Sequence, residues 1–310
     1  QRGVAVTNSP PAAPGPDGAG NVTLRGRPER GAGVLLRNAS VYTTSGTIDV
    51  RGVATRVDGL STQAVGLEVD SAYLYAGQGS VVLAGRGDDN NVAGTYPAAV
   101  GLQYSDLRID TASNSTGTIQ IAGEAANSAG AGITFRDVES GGLTIRDGTS
   151  TNIPTLANVS IGAISSDGLA LALGLDSNPA ATQVLTTGVV NFRPVSVSAP
   201  GQVGDAAAEG ILVGPGGDVT RGFIIDPFHF GSAFRADSGF VIGSSTHAGR
   251  ITVENGALAG QRAQTITLQN EGAGSAGITL GTGVDVRDLG LLSAGVVTQA
   301  GGIAGGRTRV

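Results

Sequence analysis

The feature that most narrows the possible folds is a phrase that keeps returning. Residues 64–85, AVGLEVDSAYLYAGQGSVVLAG, have two halves, and each half has copies elsewhere in the chain. The first half is matched by Val34-Leu35-Leu36 upstream. Downstream it is matched by Val100-Gly101-Leu102-Gln103-Tyr104 and Gly132-Ile133-Thr134-Phe135. The second half, Ser80-Val81-Val82-Leu83-Ala84-Gly85, is echoed by Thr47-Ile48-Asp49-Val50-Arg51-Gly52 and by Thr118-Ile119-Gln120-Ile121-Ala122-Gly123. Starting points recur about every 31–35 residues, a period that signals stacked units rather than one globular core.

Each unit is a pair of short apolar–x–apolar segments, which places two side chains on one face and one on the other, as strands do. Such segments lie at 22–24, 34–36, 47–50, 66–69, 81–83, 102–104, 107–109, 118–121, 133–135, 143–145 and 159–161. Strands this short are stable only with neighbours on both sides. Helix is disfavoured almost throughout, because the 52 Gly of 310 residues interrupt any window of three turns. The phrase recurs with one polarity, the connections exceed tight hairpin turns, and the strands carry stackable Val, Ile and Leu. Parallel stacking is therefore expected, with an antiparallel sandwich as the competing architecture. The expectation is an all-β chain, a parallel β-helix (β-solenoid) with loop excursions. Ten or so coils at about 4.8 Å each would make a rod of roughly 50 Å.

Residues 1–20 are rich in Pro and Gly and read as a loop or linker, and 21–310 as one continuous stack. The run LALALGLD at 169–176 fits a buried strand or a helical turn. Residues 211–240 read as an excursion, since they hold Phe223, Phe228, Phe230, Phe234 and Phe240 of the chain's seven Phe. Within them, Asp226-Pro227-Phe228 has the form of a helix start, with Asp as cap and Pro at the first position.

Composition removes several classes of function. Without Cys there are no disulfides, thiolate nucleophiles, zinc fingers or iron–sulfur sites. All 19 basic residues are Arg, and the net charge of −6 argues against nucleic acid as a partner. No apolar run reaches the length of a membrane helix. Because Met is absent, Gln1 reads as the start of a processed product or fragment.

Three phrases in the last third, GVVNFRPV (188–195), RGFIIDPFHF (221–230) and GFVIGSSTHAGRITV (239–253), carry a family likeness. So do TITLQNEGAGSAGITLGTGVDV (265–286) and LGLLSAGVVTQAGG (289–302). Together they resemble the β-helical shafts of filamentous-haemagglutinin-like exoproteins of two-partner secretion. The resemblance implies a right-handed parallel β-helix on the bacterial cell surface or secreted. It also implies an outer-membrane transporter as export partner and adhesion or biofilm cohesion as the role. Neither the amino-terminal secretion domain of such exoproteins nor a toxin domain is recognisable, and no catalytic residue carries over.

Candidate chemistry is sparse. Pectin-degrading enzymes share the β-helix and need clustered carboxylates; Asp88 and Asp89 are adjacent but read as part of a connector, 85–96. The same residues with Asn90 could ligate calcium, although a polar turn is the simpler reading. Arg86-Gly87-Asp88 is an integrin-type tripeptide that this connector would display. His229 and His247 lie outside any local metal-ligand spacing and read as structural. Phe228 and Phe230, if exposed, would stack on sugar rings or receive a protein; if buried, they would brace the stack. No cofactor is expected. The sequence thus reads as a non-catalytic shaft segment of a surface adhesin, whose partners are a host or neighbouring-cell protein or glycan and adjacent segments end to end. The alternatives are a glycan- or protein-binding module, then a polysaccharide lyase or hydrolase.

Overall fold

The structure, a computed structural model, describes residues 4–7, 20–27, 31–56, 63–89, 98–135, 142–149, 152–172, 182–198, 201–215, 222–231 and 233–309. Strands open with β1 (Val4–Thr7), β2 (Val22–Gly26), β3 (Ala32–Tyr42), β4 (Ile48–Thr55), β5 (Val65–Tyr75), β6 (Val81–Asp88), β7 (Val100–Tyr104), β8 (Leu107–Thr111) and β9 (Thr118–Ala126). They continue with β10 (Ile133–Phe135), β11 (Leu143–Asp147), β12 (Asn158–Ser165), β13 (Leu171–Ala172), β14 (Gln183–Thr186), β15 (Val190–Arg193), β16 (Val195–Val197), β17 (Val203–Asp205) and β18 (Ile211–Val213). The last are β19 (Phe223–Ile225), β20 (Phe234–Ala236), β21 (Phe240–Ser244), β22 (Ile251–Val253), β23 (Gln261–Asn270), β24 (Ile278–Leu280), β25 (Val284–Ser293), β26 (Val297–Gln299) and β27 (Ile303–Arg309).

Among the described residues the chain is nearly all β, without an α-helix, and its sheets are parallel; the one antiparallel pair is β16 with β17. The chain returns to the same sheets in turn. One ten-stranded sheet, the first, contains β1, β3, β5, β7, β8, β10, β11, β13, β14 and β20. A second has the order β2-β4-β6-β9-β12-β15-β21-β23-β25-β27. A five-stranded third sheet has the order β19-β18-β22-β24-β26.

The repeated phrases are the ladder registers. Leu67 stands opposite Val34 and Leu102, and Leu102 opposite Ile133. Val81 stands between Ile48 and Ile119, and Gly85 between Gly52 and Gly123. Each apolar position therefore stacks on its own copy, and these columns are the core: Val34, Leu67, Leu102 and Ile133 are buried, as are Ile48, Val81, Ile119 and Val159.

Glycine fixes where the sheets meet. A Cβ on Gly52 would lie 1.9 Å from the Gly66 carbonyl oxygen, one on Gly85 2.1 Å from that of Gly101, and one on Gly123 2.0 Å from that of Gly132. The backbones of the first and second sheets touch along this line, and no side chain fits between them. In the first sheet, β3 and β5 bend midway at Asn38 (φ 46°) and Ser71 (φ 58°). At the next level the same bend, at Ser105 and Asp106, separates β7 from β8.

Hydroxyls close several corners. The side chains of Ser115, Ser128, Thr186, Ser275 and Ser293 each accept the backbone N–H of the glycine two residues on. Three asparagines bridge successive passes of the chain. Asn21, Asn158 and Asn255 accept the N–H groups of Thr47, Val189 and Thr282 respectively.

Residues 211–240, read as an excursion, supply β18, β19, a 3-10 turn and β20. Phe223, Phe230, Phe234 and Phe240 are buried with Phe192. Strand β18 is out of chain order, lying between β19 and β22 although it precedes both. Among the described residues, the excursion that leaves the sheets is the β16–β17 hairpin. In the 1–20 stretch, β1 pairs in parallel with β3, and residues 8–19 lie outside the described part. So do residues 173–181 of the 169–176 run and its neighbours; β13 accounts for Leu171 and Ala172.

Candidate functional site

Because side chains alternate along a strand, the x of each apolar–x–apolar phrase faces outward. In the second sheet these positions stack as Asp49, Val82, Gln120, Ser160 and Asn191. Two residues further along each strand a second column reads Arg51, Ala84, Ala122, Gly162 and Arg193.

The hairpin lies on the small members of the second column. Val195 and Val197 are buried against Ala84 and Ala122, with Val203 alongside. A Cβ on Gly162 would come within 2.6 Å of the Val195 side chain. The hairpin is pinned by charged groups of β4, β6 and β9 and of β15, which leads into it. Arg86 donates to the Val197 carbonyl at 3.1 Å, and Glu124 accepts the Val197 N–H at 2.5 Å. Arg51 donates to the Gly201 carbonyl at 3.1 Å, and Arg193 pairs with Asp205 at 2.8 Å.

The tripeptide Arg86-Gly87-Asp88 is thus not displayed in a connector. It lies inside β6, paired with β4 on one side and β9 on the other. The strand runs on beyond Gly85 because the glycine contact lets the two sheets cross without ending the ladder. Arg86 is held by Glu124 and by Asp88 (3.2 Å). Asp88 also accepts from the Asn127 amide at 3.0 Å. Asp89, just past the strand, is buried and accepts at 2.9 and 3.1 Å from one guanidinium nitrogen of Arg56. The two neighbouring carboxylates pair with different arginines. Residues 90–97, including Asn90 of the calcium reading, lie outside the described part. No group of three or more His, Asp or Glu able to hold a metal occurs among the described residues.

Phe228 and Phe230 part company. They sit in the 3-10 turn Pro227–Phe230, capped as expected by Asp226, whose carboxylate accepts the Phe228 N–H at 2.8 Å. Phe230 is fully buried, edge-to-face with Phe240 at 5.2 Å, whereas Phe228 is 42% exposed. Of the two, Phe228 is the one that could stack on a ligand. His229 packs on Phe192 and Phe234. His247 is buried, and its Nε2 makes no hydrogen bond. Burial holds its imidazole below the ordinary value, against the opposing influence of a Gly249 backbone bond and the Asp205 carboxylate.

An aromatic strip that the Phe-based reading missed lies on the first sheet. Tyr42 and Tyr75 are in register, and Tyr73 meets Tyr42 edge-on at 5.5 Å. The Arg108 guanidinium lies 4.9 Å from the Tyr73 ring centre and pairs with the buried Asp110. Burial, then the Asp110 charge, pushes the Tyr73 phenol well above its ordinary value. The stacking face of Tyr73 is therefore already occupied. A sequence signal existed, since Tyr73 and Tyr75 alternate and Tyr42 is one repeat earlier.

A concave surface lies elsewhere, over the outward column of the second sheet. A groove of about 410 Å³ opens above Ser160, the short side chain between Gln120 and Asn191, with Thr118, Asn158 and Arg193 at its margins. No protein-family model, curated protein or solved structure matches the chain.

Proposed function

We propose that the chain is a right-handed parallel β-helix acting as a non-catalytic shaft segment of a secreted or cell-surface adhesin. The observation that carries this reading is the second sheet, ten parallel strands in one ladder order. At about 4.8 Å per strand, such a ladder extends for roughly 43 Å. Right-handedness follows from the strong bias of parallel crossover connections. The charge pattern supports a mechanical role, because Arg25, Arg51, Arg86 and Arg193 are matched by Asp49, Asp88, Glu124 and Asp205. A stiff column braced in this way would hold its outer faces at fixed spacing for contact with a cell-surface protein or glycan. The resemblance to haemagglutinin-like shafts adds the outer-membrane transporter as export partner and neighbouring segments as end-to-end contacts.

The test is adhesion of beads coated with the purified chain to cell and matrix surfaces. It is run beside a polysaccharide depolymerisation screen with and without calcium. Saturable adhesion without product release is the expected result. Product release would replace this reading with a lyase or hydrolase; absence of adhesion would remove the adhesive role.

A further inference from the structure

We infer that the groove over Ser160 binds a neutral saccharide. The inference deepens the adhesive reading and rests on it for the surface on which such a ligand would be met. Gln120, Ser160 and Asn191 stand on the adjacent strands β9, β12 and β15. Two strand spacings cover about 10 Å, the reach of a short oligosaccharide laid across the strands. The groove's volume of about 410 Å³ falls in the range that small ligands fill, roughly 300–1,000 Å³.

The chemistry of the lining selects the class. The Gln120 amide and the Ser160 hydroxyl have no side-chain hydrogen bond among the described residues, so both can donate and accept. Asn191 is fixed by donating its amide to the carbonyls of Val241 (3.1 Å) and Gly243 (2.9 Å), which leaves its Oδ1 as an oriented acceptor. A surface that offers donors and acceptors in alternation matches the hydroxyls of a sugar. Charge points the same way. Arg193 is the one charged side chain of the lining, and Asp205 neutralises it at 2.8 Å. The groove thus has no surplus charge to favour a uronic acid, sulfate or phosphate. A deep peptide anchor is disfavoured too, because Ile119 and Val159 are 1% exposed and face the core, which leaves the half-buried Val189 as the apolar side chain of the lining. With a few hydrogen bonds and no stacking platform, the expected Kd is about 0.1–1 mM.

The experiment is an NMR titration of the whole 310-residue chain with short neutral gluco-, manno- and galacto-oligosaccharides, repeated with uronic-acid oligomers. Saturable shifts of Gln120, Ser160 and Asn191 with one neutral series, insensitive to salt, are expected. Gln120→Ala should weaken that binding about tenfold, the loss of one good hydrogen bond. Ser160→Phe should fill the groove and abolish binding, and Phe228→Ala, which is not part of its lining, should leave binding unchanged. If Ser160→Phe does not fold, Ser160→Leu and the half-buried Gln120→Ala carry the decision. Absence of saturation by every neutral series overturns the inference. So does binding untouched by the groove substitutions, or a salt-sensitive preference for the uronic acids. Adhesion that survives Ser160→Phe would sink the groove and spare the adhesive reading. A titration that succeeds where beads do not adhere would do the reverse.

Discussion

Gly85→Ala should force apart the first and second sheets where their backbones touch. The new Cβ would stand 2.1 Å from the Gly101 oxygen, 2.7 Å from the Gly101 carbonyl carbon and 2.8 Å from the Leu67 nitrogen. Carbon–oxygen contacts need more than about 3 Å, so the sheets would have to part by about 1 Å. Every obstructing atom is backbone, and no rotamer change relieves the clash. Overpacking a core typically costs about 1–3 kcal/mol when side chains can yield; here the cost should be at least about 3 kcal/mol, roughly two orders of magnitude in the folded-to-unfolded ratio. The strain is also shared, since Gly52 and Gly123 stack directly on Gly85 and face the same seam. Gly302→Ala is the matched control, because a methyl placed there would meet nothing within 4 Å and the change should stay within about 0.5 kcal/mol. Urea unfolding followed by far-ultraviolet circular dichroism measures both variants against the parent chain. Equal midpoints for Gly85→Ala and Gly302→Ala would show that the seam is not close-packed backbone, and the steric argument would fail.

Two further outcomes follow from the hairpin and the buried histidine. Glu124→Gln removes the charge that holds Arg86 and accepts the Val197 N–H. Hydrogen exchange at Val197 should then quicken about tenfold while the amides of β12 keep their protection. For His247, burial depresses the folded-state value, so the unfolded chain binds more protons as pH falls through about 6.5. Its contribution to stability is complete above that pH and is lost on acidification below it. Melting temperatures at several pH values should show this loss, and His247→Gln should flatten that part of the curve; an unchanged curve would exclude His247 as its source.

The strands and their registers were legible because stacked copies must repeat both the side-chain alternation and the glycine that lets two backbones touch. Val81-Val82-Leu83-Ala84-Gly85 and Ile119-Gln120-Ile121-Ala122-Gly123 spell out the ladder by themselves. Two corner signals also stand in the sequence without announcing their role: a hydroxyl two residues before glycine, as in Ser128 and Gly130, and asparagines placed like Asn158. The hairpin was harder to see. Val195-Ser196-Val197 looks like any other strand, and its seat at Ala84 and Ala122 belongs to phrases many residues earlier. Arg86 and Asp88 looked like loop residues because charge and glycine usually mark turns, whereas here they continue a strand. The groove needed both kinds of information. Gln120, Ser160 and Asn191 are the outward letters of three phrases, but only the register makes them neighbours and only the short middle side chain makes them concave.

The misplaced strand β18 turns an otherwise sequential assembly into one with a splice. A stack whose levels follow chain order can grow one level at a time as the chain emerges, each new edge serving as the template for the next. That rule is suspended after β15. Strand β18 emerges before the level beneath it exists, and it acquires a floor only when β19 pairs with it, the residue before β19, Gly222, bridging in turn to Leu169. Residues up to Ile225 must therefore be present before the third sheet can register, and β22 then builds on β18 rather than on β19. In the reverse direction, a chain drawn from its far end would release β26, β24 and β22 as free edges. Strand β19 would still be gripped from above and below. The splice is thus a joint that cannot close in chain order, set about two-thirds of the way along the chain.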